Sequence, residues 1–492
     1  MDTSPKVYTR EGVEALEKSA NDSEKELMQK AGALIAKAIS RKNAQNLPLL
    51  FLIGPGKNGQ DGLEAALLLK EQGHDPTLFV HEKTLSWSKK GKRYQKIESF
   101  YPLSFAIEAM RSSSYFIVDA LLGMGCTRPC SDLLLEIVQS VNASGNPVLS
   151  VDLPSGLNSD TGEVLSDAIQ ATWTICLGAY KVGLFFQKGI EKRGLLELGE
   201  IDLPLEKGTP IYRLVEKDFV KTFLPNIPKT RNKYDAGLVL GFAGSGAMMG
   251  AAALASKAAL RSGAGLVRLY HGTSHLAPFP PEVMAEPWKN GLWESCLSRA
   301  KSVFIGPGIG RGEEAQDLLG KVLASWQGPL VLDADALFLL KDSWEKVPRD
   351  SILTPHEGEA KRFFHQKEQV STFRFHETIG AFAAQRAAYV LLKGAPTVLF
   401  SPKGTPHLID RGSPGSATAG SGDVLTGVVA ALLAQGASQK ACEFSYAQKA
   451  ALFGAFLHAI AGELAAKEKT VYGVLASDIV EKIPKAYQSL LS

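Results

Sequence analysis

The chain has 492 residues, beyond the size at which one hydrophobic core keeps growing, so two domains are expected. With 45% hydrophobic and 21% charged residues it has the make-up of a folded globular protein, which excludes disorder as its organising theme. A formal net charge of +3, from 54 basic and 51 acidic residues with no basic stripe interleaved with aromatics, argues against a nucleic-acid partner.

The first residues, MDTSPKVYTREGVEALEKS, mix charges from position 2 onward, so no secretory signal is expected and the mature chain should start near Met1. Apolar residues at helical spacing from Glu11 to Ser40 (Val13, Leu16, Leu27, Ala31, Leu34, Ile35, Ile39) predict one or two amphipathic helices. The period then changes: Leu47 to Ile53 is a strand-like apolar run, GPGKNGQDG is a glycine loop, and Leu63 to Lys70 reads as a helix. Further strand-length runs at Thr77–Val80, Tyr115–Val118, Pro147–Val151 and Thr172–Leu177 predict a mostly parallel, covered sheet.

Gly54, Gly56 and Gly59 satisfy GxGxxG between a strand and a helix, where backbone amides and the helix's positive end can cradle a phosphate. The same turn can also be a mere strand-to-helix corner, and Asp61 at the helix start can be a cap. Asp119, in VDALLGMGCTRP, and Asp152, in VDLPSGLNSDTG, each end an apolar strand. Carboxylates leaving neighbouring strand ends suit cation binding or proton transfer; singly, each reads as a turn aspartate.

The proline-rich stretch from about Leu203 to Arg231 holds the expected boundary, giving domains 1–215 and 226–492. Beyond it a second α/β pattern starts. Leu238–Phe242 runs into GSGAMMG, Val303–Ile305 into GPGIG, Leu330–Leu332 into DAD, Ile352–Thr354 into PHEGE, and Tyr389–Leu392 into KGAPT. Ligands bind at the carboxyl ends of such strands, so these five turns are expected to converge on one cleft. In SATAGSGDVLTG, Gly420, Ser421 and Gly422 let backbone amides approach an anion at a helix N-terminus, and Asp423 in the first turn is placed to act as a base on a substrate hydroxyl. Lys393 reads as a phosphate contact or a surface charge. His356 reads as a substrate contact or a partner for nearby backbone. No lysine and hydroxyl pair follows any glycine loop as a Walker A requires, so a P-loop NTPase is excluded. The longest apolar helical stretch recognised, Val424–Ala434, is too short to span a bilayer, so no membrane partner is expected. Five scattered cysteines (Cys126, Cys130, Cys176, Cys296, Cys442) suggest neither a disulfide framework nor a zinc site, and a reducing, cytoplasmic location is expected.

These motifs, in this order over nearly the whole length, resemble the bifunctional NAD(P)H-hydrate repair enzymes: VDLPSGLNSDTG in the first half, and TPHEGE, KGAPT and TAGSGDVLTG in the second. The resemblance implies an α/β fold, with a Rossmann-like three-layer domain followed by a ribokinase-like three-layer domain. It implies epimerisation of the R and S hydrates of NADH and NADPH by the first domain, with bound potassium. Asn58, Asp119 and Ser155 would be potassium ligands; Lys57, Asn58, Gly59, Gln60 and Asp61, and Gly123, Met124, Gly125, Cys126, Thr127, Arg128 and Pro129, would line the substrate; Asp152 would be the acid/base. For the second domain it implies nucleotide-dependent dehydration of the S hydrate with magnesium, ADP preferred to ATP. Asp423 would be the base, Gly420 to Gly422 would hold the transferred phosphoryl group, and Lys393, Gly394, Ala395, Pro396 and Thr397 would bind the nucleotide. Ala236, Gly308 and His356 would contact the hydrate. A homo-oligomer is expected. Lys57 and Gln60 depart from the family's usual GPGNNGGDG loop, and a lysine beside the cation site is expected to weaken potassium or favour phosphate. Ser413, where the family often has asparagine, is expected to be a mild change. The alternative is a ribokinase-like kinase for a small metabolite, carrying an N-terminal binding module; a dehydrogenase is disfavoured because Asp75 precedes the second strand and only Glu82 follows it.

Overall fold

The computed structural model describes residues 4–84, 100–112, 114–225, 227–273, 279–340, 343–365, 371–436 and 444–491, so Cys442 lies outside the described residues. The chain divides into two units, Lys6–Tyr212 and a second made of Arg213–Ser492 with Met1–Pro5. The division falls just before the expected gap between domains. Residues 216–225 belong to the second unit, because the short helix Lys217–Lys221 buries Phe219 and Val220 in that unit's core.

In the first unit seven strands form one wholly parallel sheet in the order Phe100–Pro102, Thr77–Val80, Leu49–Ile53, Phe116–Ala120, Val148–Val151, Trp173–Leu177, Leu195–Gly199. The central strand shows why its sequence lacks alternation. Leu49, Phe51 and Ile53 enter one apolar cluster and Leu50 and Leu52 enter another, so both faces are covered. The helices Glu24–Lys42 and Lys57–Glu71 cover the first face, Ala106–Ser112 and Asp132–Ser144 the second. The order reverses between Leu49–Ile53 and Phe116–Ala120, so a crevice opens beyond their carboxyl ends. The predicted helical stretch at residues 11–40 is two helices, Arg10–Lys18 and Glu24–Lys42; the second is started by a Ser23/Glu26 capping box. The end strands Phe100–Pro102 and Leu195–Gly199, missing from the sequence reading, are short or partly exposed and carry little apolar signal.

The second unit is built on parallel strands in the order Val283–Pro287, Leu266–His271, Leu238–Phe242, Ser302–Ile305, Leu330–Leu332, Ile352–Leu353, Tyr389–Leu392. Thr397–Phe400 and His407–Ile409 extend it antiparallel. One face packs on the helices Met249–Arg261, Ser421–Gly436, Tyr446–Lys469 and Ala476–Leu491; Val239, Val331, Ile352 and Leu391 share that core. Glu313–Ser325 and Thr372–Arg386 lie among the helices of the other layer. The sequence reading missed Tyr446–Lys469, 24 residues long and apolar enough by composition to cross a membrane. Here 72% of its most apolar window is buried within the protein, as befits a core helix.

Two candidate sites at the carboxyl ends of the parallel strands

In the first unit the GxGxxG glycines do different jobs. A Cβ on Gly54 would lie 1.7 Å from the Leu121 carbonyl oxygen, and one on Gly59 would lie 2.1 Å from the Gly54 carbonyl oxygen. Both positions therefore require glycine for backbone contact. Gly56 faces open space and begins the helix without a side-chain cap, so Asp61 is not the cap. A cavity of about 640 Å³ lies over this turn, lined by Pro55–Asn58, Leu121–Gly125 and the helical residues Arg10, Glu14, Glu17, Lys18, Glu24 and Leu27. A smaller one of about 110 Å³ is shared by Asn58, Gln60, Asp61, Gly123, Met124, Asp152 and Lys181.

Asp119 is fully buried and accepts from Ser150 Oγ at 2.8 Å, Ser155 Oγ at 2.5 Å, Ser155 N at 2.9 Å and Leu121 N at 3.3 Å. Burial pushes its pKa up against the pull of these donors. Asn58 donates to the Leu122 carbonyl at 2.9 Å, while its own buried Oδ1 has no hydrogen-bond partner. A buried amide oxygen without a donor, close to a dry carboxylate and a serine hydroxyl bonded to Leu122 N and O, is a donor set that suits a hard cation. Lys57 does not leave its charge loose: Nζ lies 3.0 Å from Glu24 and 3.3 Å from Glu17, and although burial lowers its pKa, these partners raise it further.

Asp152 holds a left-handed backbone, φ +67°, directly after Val148–Val151. Its Oδ1 accepts from Leu177 N at 3.1 Å and from the ammonium of Lys181, which also donates to the Leu177 carbonyl at 2.7 Å. Lys181 is 1% exposed. Nothing in the sequence marked it, because AYKVG is an ordinary turn by composition. Gly123, Met124 and Gly125 line the larger cavity, whereas Cys126 is buried beneath it. Thr127, Arg128 and Pro129 are exposed and line neither cavity. The described cysteines are free thiols.

In the second unit the five expected strands lie side by side and parallel, so their turns emerge at one edge. Asp333, just after Leu330–Leu332 and 1% exposed, is the hub. It accepts from Lys393 Nζ at 2.8 Å and Thr426 Oγ1 at 2.7 Å. Lys393 is thus a half-buried, ion-paired cation rather than a free surface charge; burial lowers its pKa, but Asp333, Glu359 and Asp423 together raise it. A Cβ on Gly422 would meet Lys393 Nζ at 3.1 Å, so the SGD turn at the start of Ser421–Gly436 sits against this lysine. Gly420 has φ +91°, which favours glycine there. Asp423, in that first turn, is pushed up to about 7, chiefly by burial and then by Asp333, with Lys393 pulling back. Ser421 Oγ lies 3.2 Å from Nε2 of His458, whose pKa burial lowers to about 4, keeping the ring neutral. Asp333, Thr426 and His458 were not singled out in the sequence: the first sat in a turn read only as DAD, and the others lie within apolar helices.

His356 N-caps the helix Glu357–Phe363: its Nδ1 accepts from Gly358 N at 3.0 Å and Glu359 N at 3.3 Å, while Glu359 accepts from His356 N at 2.9 Å. Of its two readings, the structure gives it the backbone partner. Gly308 O accepts from Ser245 Oγ at 3.1 Å, joining the GPGIG and GSGAMMG turns. Arg311 and Gly310 N hold Asp335, which ties GPGIG to the DAD turn. Gly394, Ala395 and Thr397 form the turn after Tyr389–Leu392, with Gly394 and Ala395 exposed at the rim and Pro396 buried. Ser413 caps the turn Pro414–Ser416 by accepting from Gly415 N at 3.2 Å. Ala236 is the exception. It precedes Leu238–Phe242 and packs under Gly265, at the opposite strand end from Gly308, Asp333, His356 and Lys393. Five residues of strand, about 16 Å, separate the two edges, so Ala236 does not join the site.

Residues 238–485 match the NAD(P)H-hydrate dehydratase family model and residues 24–183 the YjeF-related protein N-terminus model. The bifunctional NAD(P)H-hydrate repair enzyme of Thermofilum pendens is 33% identical, with 94% of this chain and 92% of that protein covered. That of Coxiella burnetii is 32% identical over 96% of this chain and 97% of its own length. The chain belongs to the family of bifunctional NAD(P)H-hydrate repair enzymes. Among solved structures, a ribokinase-like protein of Enterococcus faecalis, 28% identical, superposes with a TM-score of 0.51 over 57% of this chain and 96% of its own. The second unit is accordingly ribokinase-like and the first Rossmann-like, each a sheet between helical layers. The family pairs epimerase and dehydratase domains in one chain; the Asp333 cluster and, in the first unit, Asn58, Asp61, Asp119, Asp152, Ser155 and Lys181 sit inside the matched residues, whereas Arg10, Glu14, Glu17 and Lys18 of the larger cavity precede them.

Proposed function

We propose that the first unit interconverts the R and S hydrates of NADH and NADPH at the Asp61/Asp152 cavity, and that the second dehydrates the S form at the Asp333–Lys393–Asp423 cluster with ADP as phosphoryl donor. The observation that carries the second half is Asp423 itself: a carboxyl with a pKa near 7 at a glycine-flanked helix N-terminus is matched to taking a proton from a hydroxyl at neutral pH. In this reading Asp423 takes the proton of the C6 hydroxyl as that oxygen receives the phosphoryl group. The C6–O bond then breaks with its electron pair leaving on phosphate, C5 loses a proton, and the C5=C6 double bond returns. Lys393 and the amides of Gly420–Gly422 would hold the phosphoryl oxygens, and Asp333 fixes the lysine. Magnesium would neutralise the nucleotide's phosphates. ADP rather than ATP is carried by the motif resemblance.

Asn58, Asp119 and Ser155 would hold potassium; the partnerless buried Oδ1 of Asn58 supports the reading. The ion would supply positive charge near the substrate's phosphates, while Asp152 handles the proton. The test is recovery of reduced-nicotinamide absorbance from mixed R and S hydrate with magnesium and either ADP or ATP, with and without potassium. Complete recovery with ADP and potassium is expected. Recovery of only the S half would remove the epimerase, and no recovery with either nucleotide would remove the dehydratase and favour a kinase.

A further inference from the structure

Epimerisation at C6 needs two proton transfers as the ring opens and two as it closes. The C6 hydroxyl and the ring nitrogen form a carbinolamine. When a base takes the hydroxyl proton, the C6=O bond forms, the C6–N1 bond breaks with its electron pair going to nitrogen, and an acid must supply N1 with a proton. Rotation about C5–C6 presents the other face of the aldehyde; N1 attacks, gives its proton back, and the alkoxide is reprotonated. Atoms and electrons balance without an oxidant. The hydroxyl oxygen and N1 are both bonded to C6, so a base beside the oxygen and an acid beside the nitrogen can act in the same step.

The small cavity of about 110 Å³ contains a second carboxyl. Asp61 reaches it from the helix Lys57–Glu71 and Asp152 from the end of Val148–Val151, so the two come from different elements onto one space. The charged groups that face this cavity are Glu17, Glu24, Lys57, Asp61, Asp152 and Lys181. Lys57 is occupied by the two glutamates and Lys181 by Asp152, which leaves Asp61 as the carboxyl without a paired cation in this set. We infer that Asp61 is a catalytic residue of the epimerase, the proton donor to N1 across the cavity from Asp152, and that Lys181 is a positioning residue that fixes the Asp152 side chain. The inference rests on the epimerase reading above.

The electrostatics agree with this division. Burial and then the charge of Asp152 push the Asp61 pKa well above the ordinary carboxylate range, which favours the protonated form a donor needs. Lys181 is pulled down by burial yet ends raised because Asp152 faces it. What separates the two carboxyls on geometry is that Asp152 is ion-paired to Lys181 and Asp61 is not.

The experiment measures R-to-S conversion by chromatography on the full-length enzyme, with the dehydration rate of pure S hydrate as the control for folding of the chain. Failure of the wild type to convert R to S would sink the epimerase reading itself, independently of Asp61. With an active wild type, Asp61→Asn should lower kcat by roughly 100-fold or more while KM moves less than about threefold. The high-pH limb of the rate profile should also disappear. Asp61→Ser gives a second substitution that leaves a small polar side chain. A rate within about threefold of wild type in either variant, or an intact high-pH limb, overturns the assignment. Lys181→Met should lower kcat for R-to-S conversion by about tenfold or more with KM little changed, and Lys181→Arg should restore it toward wild type; a kcat within about threefold of wild type in Lys181→Met overturns the positioning role.

Discussion

Replacing Asp423 by asparagine sets activity against stability at one atom. The folded carboxyl has a pKa of about 7 against an ordinary 3.8. About one-tenth of it is ionised at pH 6 and about nine-tenths at pH 8, so the wild-type dehydration rate should rise about tenfold between those pH values. The stability sign follows from linkage. Because the folded pKa is raised, the folded state binds the proton more tightly than the unfolded one, and stability falls as pH rises from about 4 through about 7. By pH 8 the cost of the buried charge approaches about 4 kcal/mol, from 1.36 kcal/mol per pKa unit. Asp423→Asn removes that cost while abolishing dehydration and leaving R-to-S conversion intact. Thermal unfolding at about pH 8 should show the second unit's transition moved upward in the variant, and at about pH 4 the two proteins should coincide. A flat wild-type rate between pH 6 and 8, or a variant less stable than wild type at pH 8, would refute the argument that Asp423 is a strained base rather than a helix-capping charge.

Asp152→Asn should do the reverse for activity, ending R-to-S conversion with dehydration of pure S hydrate unchanged, as chromatography and absorbance read separately. Gly59→Ala would push a methyl to 2.1 Å from a backbone oxygen; a loss of roughly 1–3 kcal/mol or more in the first unit, read by denaturant unfolding, is expected. Thr426→Val keeps the shape but removes a donor at 2.7 Å from a buried carboxylate oxygen. It should cost about 1–3 kcal/mol and slow dehydration, and an unchanged melting temperature would show that Asp333 does not need it. Replacing potassium by lithium should slow R-to-S conversion without touching dehydration.

How much of this was legible beforehand depended on whether a residue's role leaves a local trace. The strands Leu49–Ile53, Phe116–Ala120 and Val148–Val151 were readable because both faces are buried, which forces unbroken apolar runs. The glycine turns were readable because backbone contact admits no side chain. The ion-paired lysines divide instructively: Lys393 sits in a marked turn after a strand, whereas Lys181 has no local mark and acquires its role only when Asp152, 29 residues away, folds against it. Ala236 misled because its role was carried over from the resemblance, although its place before Leu238–Phe242 already put it at that strand's amino end. The end strands escaped because they need little apolar cover.

The helix Tyr446–Lys469 has a consequence for how the protein is made. Its long apolar surface is covered in part by Ala476–Leu491, whose Ile479, Val480 and Ile483 are fully enclosed. The ribosome delivers that cover only after Tyr446–Lys469 itself and after the whole sheet. Until Ala476–Leu491 leaves the exit tunnel, the nascent chain carries an uncovered stretch as greasy as a membrane segment, a target for chaperones or lipid. A stop codon just before Ala476 would make that transient state permanent.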